Sequence, residues 1–144
     1  MKITKVRGYV FCRSFMGERV PTHVQNLVIR QFCKEKKLEY LLSGVEYAMK
    51  DSSLILDNLI DDEDNNGIIA YSLFQLPFND KKRNDIYKKI IRKKKLLLFA
   101  VEKKSVSTKA DINLIEQIWK IKKVTYQENY KSIENCLKNQ NEIL

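Results

Sequence analysis

The sequence predicts an α/β fold of three layers, a mostly parallel sheet of four or five strands with helices on both faces and further helices at the C-terminal end. Three observations predict it. Short apolar, β-branched or aromatic runs alternate with stretches whose apolar residues recur at helical spacing. The chain of 144 residues holds only 4 Gly and 2 Pro, too few for a turn-rich β-sandwich. Its hydrophobic content of 44% is enough for one ordinary core.

Val6 to Cys12, "VRGYVFC", reads as a first strand covered on both faces. Thr22 and Gln25 then form a T-x-x-Q capping-box pattern, and Val24, Leu27, Val28 and Phe32 follow on one helical face to about Lys36. Leu38 to Gly44 is a second strand. From Ser52, Ile55, Leu56, Leu59 and Ile60 mark a helix that the acidic stretch Asp61 to Asp64 and the Asn65-Asn66-Gly67 turn bring to an end. "GIIAYS" is a third strand, Asp80 to Lys94 a third helix, and Leu96 to Glu102 a fourth strand. Two more helical patterns close the chain: Ala110, Ile112, Ile115, Ile118 and Trp119, then Tyr126, Tyr130, Ile133 and Leu137. This divides the chain into an α/β domain over residues 1–124 and a helical extension over 125–144. The narrow stripe from Tyr126 suits either packing on its own domain or a homodimer contact.

The net charge is +9, and nine basic residues fall between Lys81 and Lys95. Such a run attracts nucleic acid or anionic lipid, yet only Tyr87 interrupts it as an aromatic and no nucleic-acid motif accompanies it. A solvated face is the plainer reading, and nucleic acid is not the expected partner. Cys12, Cys33 and Cys136 are odd in number and have no C-x-x-C spacing, so neither a disulfide framework nor a zinc knuckle is indicated. One histidine among scattered carboxylates gives no metal-ligand spacing, and no cofactor motif is present. No run approaches the roughly 18 apolar residues of a membrane span, and the N-terminus has no signal-peptide core, so a cytoplasmic location is expected.

In parallel sheets, ligands bind beyond the carboxyl ends of the strands, near the point where strand order reverses. That rule collects Cys12, Arg13 and Ser14 after the first strand, Glu46 and Tyr47 after the second, Tyr71, Ser72 and Gln75 after the third, and Glu102 after the fourth. The connection Cys12 to Asn26 is longer than the usual few residues. Arg13 and Arg19 have the forked donors that grip phosphate, next to the positive end of the first helix. Both are alternatively solvated or paired with Glu18 and Glu46. Cys12 is either a nucleophile or a small buried hydrophobe. His23, in the first helical turn, is a neutral acid-base group or a solvated one. Glu46 and Glu102, facing each other across a cleft, would form a proton-transferring pair.

Two family resemblances rest on these blocks. Gly8-Tyr9, Gln25-Asn26-Leu27 and "IIAYSLFQL" resemble, in order, the catalytic domain of serine recombinases over roughly residues 5–105. That resemblance implies the fold. The family's Y-x-R-x-S serine does not fit, since Ser14 stands one place late, and Phe74, Gln75 and Phe78 take the places of its phosphate-binding arginines. Strand exchange is therefore not expected.

The blocks "RGYVFCR", "RVPTHVQNLVIRQFC", "LEYLLSGVEYAM", "GIIAYSLFQLP", "FAVE" and "IEQIW" resemble the sporadic carbohydrate cluster proteins, which occur among genes for bacterial surface sugars such as lipopolysaccharide O-antigen. This implies a pathway, surface-polysaccharide synthesis, rather than a reaction. A sugar phosphate or sugar nucleotide is then the expected ligand. Arg13, Arg19 and Arg30 would hold its anion, with Gln25 and Asn26 at the helix start. Glu46, Tyr47, Tyr71, Ser72, Gln75 and Glu102 would line the sugar, and His23 and Glu46 would carry protons. The alternatives are a non-catalytic partner of a sugar-pathway enzyme and a basic nucleic-acid-binding protein.

Overall fold

The computed structural model describes residues 4–143, with the side chains of 128–130, 132–133 and 140–143 outside that description. Five strands form one sheet: β1 (Lys5–Phe11), β2 (Glu39–Glu46), β3 (Gly67–Ala70), β4 (Leu96–Phe99) and β5 (Lys104–Val106). Their order is β2-β1-β3-β4-β5, with the first three pairings parallel and β4–β5 antiparallel. The helices α1 (Thr22–Glu35), α2 (Leu54–Asp61) and α3 (Asp80–Arg92) make the crossovers. The chain leaves β1 toward β2 and then passes back beyond β1 to β3, so the order reverses between β1 and β3.

The alternation along each strand decides which helix covers which face. Val6 and Val10 of β1, Ile69 of β3 and Leu98 of β4 pack with Ile29, Phe32 and Cys33 of α1. Burial raises the Cys33 thiol pKa to about 11, so it behaves as a small hydrophobe. Tyr9, Ile68, Ala70, Leu97 and Phe99 occupy the other parity and are equally buried, as are Leu56, Leu59 and Ile60 of α2 and Ile86 and Ile90 of α3. Gly44 lets α2 approach β2 closely: a Cβ there would stand 2.8 Å from Ile55 Cγ2.

Several boundaries differ from the sequence reading, each for a physical reason. The third strand stops at Ala70, because Ser72 caps a 3-10 turn, Leu73–Gln75, with its side chain accepting from Phe74 N. The fourth stops at Phe99, and Ala100 to Lys103 turn the chain back into the antiparallel β5. The T-x-x-Q pattern does not cap α1. Pro21 holds the N-cap position with no side-chain cap, and Gln25 turns to other partners. The two C-terminal patterns form a single helix, α4 (Lys109–Ile143).

The chain divides into two compact units, Met1–Ile112 and Asn113–Leu144, so the expected boundary after residue 124 falls inside the second. In that unit Ile115 and Trp119 are buried. Of the expected stripe, Tyr126 and Leu137 are exposed, and the side chains of Tyr130 and Ile133 lie outside the described residues. No helix among the described residues is long and apolar enough to cross a membrane.

Candidate functional site at the strand ends

The expected site residues do gather beyond the carboxyl ends of β1 to β4, but in two layers. The inner layer is a buried hydrogen-bond network. Gln25, fully buried, answers both backbone groups of Phe11: its Oε1 accepts from Phe11 N (2.9 Å) and its Nε2 donates to Phe11 O (2.7 Å). The same Nε2 donates to Val20 O at 2.8 Å. Gln75, also fully buried, donates from Nε2 to Gln25 Oε1 (2.7 Å) and accepts at Oε1 from Ser72 N (3.3 Å). The crevice between β1 and β3, where the strand order reverses and ligands are expected, is thus filled by a neutral amide pair. Both glutamines were expected to touch a ligand; burial gives them to the fold.

Glu46 has a comparable fate. It is 1% exposed, and its two oxygens accept from Tyr9 Oη (2.8 Å), Tyr47 N (2.9 Å), Ser52 Oγ (3.1 Å), Ile55 N (3.3 Å) and Leu56 N (3.4 Å). The carboxylate caps α2 from the end of β2, doing what the Ser53 N-cap side chain does not. Burial and then the Glu46 charge push the Tyr9 phenol far above its ordinary range, so Tyr9 stays a donor.

Arg13 is committed as well. Its Nη1 donates to Tyr47 O (2.6 Å) and Met49 O (2.5 Å) and its Nη2 to Ser52 O (2.9 Å), while the guanidinium lies 4.2 Å over the Phe11 ring. It fastens the β2–α2 loop, a role its forked shape suits as well as it suits phosphate.

Glu102 ends up apart from Glu46. Glu46 closes β2, whereas Glu102 lies in the turn after β4, with β1 and β3 between those strands, and the two carboxyls share no hydrogen-bond partner. They do not form a proton-transferring pair. Glu102 Oε1 accepts from Ser72 Oγ (2.8 Å) and Leu73 N (2.6 Å), whereas Oε2 is buried without a partner. Burial is the main cause of its raised pKa, opposed by those two hydrogen bonds.

The outer layer sits on the β1–α1 connection. Phe15 and Glu18 exchange backbone hydrogen bonds (2.8 and 3.0 Å) around Met16 and Gly17, whose φ values of 48° and 79° are those of a tight hairpin turn. Phe15 anchors it through edge-on contacts with Phe11 and Tyr71. Ser14, Arg19 and His23 are exposed there. Cys12 is exposed too, its thiol 3.7 Å from Glu46 O. Tyr47 is half exposed. Farther along α1, which also carries His23 and Gln25, Asn26 accepts from Tyr40 Oη (2.8 Å) and exposed Arg30 lies 6.0 Å from the Tyr40 ring. Among the described residues no cluster of three or more metal-ligating side chains occurs.

No protein-family model matches this chain, and no curated protein does. Among solved structures it is similar to the N-terminal catalytic domain of TP901-1 integrase, with a TM-score of 0.57 at 13% identity over 87% of this chain and 98% of that one. It is also similar to a resolvase family site-specific recombinase from Streptococcus pneumoniae, with a TM-score of 0.61 at 10% identity over 96% and 99%. At such identities the likeness is one of fold: this is a resolvase-like α/β chain.

Proposed function

We propose that this chain uses a resolvase-like fold to bind a phosphorylated or nucleotide-linked sugar of surface-polysaccharide synthesis at its strand ends, and does not exchange DNA strands. The observation that carries the reading is the outer layer. Ser14, Arg19 and His23 are exposed and have no hydrogen bond or ion pair among the described residues, while Gln25, Gln75 and Glu46 beneath them are satisfied within the protein. Arg19 supplies a forked donor for phosphate and His23 an imidazole at the start of α1, both free to meet a ligand. Phe74, Gln75 and Phe78 support the negative half of the reading, because a scissile phosphodiester needs the cations that the recombinase resemblance implies at those places. The resemblance of the sequence blocks to sporadic carbohydrate cluster proteins supplies the sugar.

A thermal-shift panel of sugar phosphates and sugar nucleotides tests this. At least one compound should raise the melting temperature, and Arg19→Ala with His23→Ala should lower that rise. No response across the panel, or a rise untouched by the double substitution, rejects the site. A second reading, a non-catalytic partner of a sugar-pathway enzyme, is supported by Leu42 (81% exposed) and Val45 on the outer strand β2. Pull-down of such an enzyme with no response to the panel would favour it.

A further inference from the structure

The nine clustered cations do not form a uniform solvated face. Arg83 is 1% exposed and turned inward, donating to Pro77 O (3.1 Å), Phe78 O (3.2 Å) and Asp80 Oδ1 (2.7 Å), where it fixes the start of α3. Lys82, Asp85, Lys89 and Arg92 follow at spacings of three, four and three, which aligns them along one side of α3. That side and the segment Met49–Leu54 with Asp57 line an open groove of about 840 Å³, within the range of small-molecule sites.

The walls are held by bonds independent of any ligand. Asp51, in the left-handed region at φ 59°, accepts from Phe78 N (2.6 Å) and Asn79 N (3.1 Å), tying the β2–α2 loop to the start of α3. Lys82 Nζ donates to Asp51 O at 3.4 Å. Lys89 crosses to α2, donating to Asp57 O (3.2 Å) and Asp61 Oδ2 (2.9 Å). Arg13 grips the loop from its other side through Met49 O and Ser52 O. A groove fixed in this way loses little entropy on binding.

Its charges are unbalanced. Lys50, Lys88 and Arg92 line it, are exposed, and have no ion pair or hydrogen bond among the described residues. Lys88 and Arg92 are four residues apart, so their Cβ atoms lie about 6 Å from each other, a spacing that lets two cations share adjoining phosphates. Asp57 and Asp85 also line the groove, alongside the apolar Met49, Leu54 and Ile86. A continuous nucleic-acid backbone would meet both carboxylates. A compact ester would meet only the cations with its phosphates, leaving the carboxylates to accept from its hydroxyl groups.

We propose that the groove between α2 and α3 is a binding site for a small diphosphate ester, its phosphates held by Lys50, Lys88 and Arg92 and its hydroxyls by Asp57 and Asp85. The site uses none of Ser14, Arg19 or His23, so it and the strand-end reading can fail separately.

Titration calorimetry on the full chain with inorganic pyrophosphate tests the proposal. Saturable binding is expected, and Lys88→Glu with Arg92→Glu should weaken it at least about tenfold. Arg19→Ala with His23→Ala should leave pyrophosphate binding intact. The proposal is overturned by absent saturable binding, by equal affinity in the groove variant, or by loss only in the Arg19/His23 variant. It also falls if a single-stranded oligonucleotide binds more tightly than pyrophosphate and loses that affinity in the groove variant.

Discussion

Glu46 and Asp57 are carboxylates on either side of the start of α2, and their surroundings could hardly differ more. Glu46 is buried and receives five hydrogen-bond donors. Asp57 is half-buried, its nearest cation is Lys89 at 3.8 Å, and burial raises its pKa despite that amine. The contrast extends to the regions around them. At the strand ends Gln25, Gln75 and Glu46 are consumed by backbone and by neighbouring side chains, so they define the turns after β1, β2 and β3. Between α2 and α3 the cations outnumber their partners. Polar residues at an expected ligand position therefore carry no functional meaning until their hydrogen bonds are counted.

The largest effect expected from this contrast is at Glu46. Glu46→Ala leaves the Tyr9 and Ser52 hydroxyls and two amides of α2 without an acceptor, and should cost about 3–5 kcal/mol in urea unfolding. A loss within experimental error would mean that the network is not structural. Gln25→Leu comes next, at about 2–3 kcal/mol, because it strands both backbone groups of Phe11 and the amide of Gln75. Arg13→Ala should cost about 1–2 kcal/mol. It should also weaken pyrophosphate binding, since the loop it fastens is one wall of the groove. Unfolding and titration on the same sample separate the two effects.

Glu102 gives the smallest effect and one with a definite sign. Its pKa is raised in the folded chain, so the stability it contributes is present below the ordinary carboxylate range and is lost as pH rises through the raised value. Glu102→Gln does not titrate and keeps an oxygen for Ser72 and Leu73. Its stability relative to wild type should therefore climb between acid and neutral pH. A pH-independent difference in urea midpoints would contradict the buried, desolvated carboxyl.

The sheet was legible because "GIIA" and "LLLF" are unbroken apolar runs, and α3 because Ile86 and Ile90 keep a helical interval within a charged stretch. The edge strand β5 was not, since the three residues of Lys104–Val106 carry too little period to register. Merging the two C-terminal patterns into α4 had a signal that went unused: neither Gly nor Pro occurs between Lys109 and Ile143.

The site was legible in position and misleading in role. Thr22 and Gln25 match a local capping pattern, but the Phe11 backbone is a long-range competitor that no local pattern contains. Arg13 has the same donors whether it meets phosphate or carbonyl oxygen, and only the β2–α2 loop decides between them. The groove was hidden in a charge run. Spacing of Lys82, Asp85, Lys89 and Arg92 marks one side of α3, but α2, which lines the groove from the other side, comes some twenty residues earlier in the chain.

The division between structural and ligand-facing polar groups is tested most directly by melting temperatures with and without pyrophosphate, for Gln25→Leu and for Lys88→Glu with Arg92→Glu. Gln25→Leu should melt lower and keep the increment that pyrophosphate adds. The groove variant should lose the increment, whatever its own unliganded melting temperature. The reverse pattern, with the ligand's increment vanishing in Gln25→Leu and surviving in the groove variant, would contradict the account.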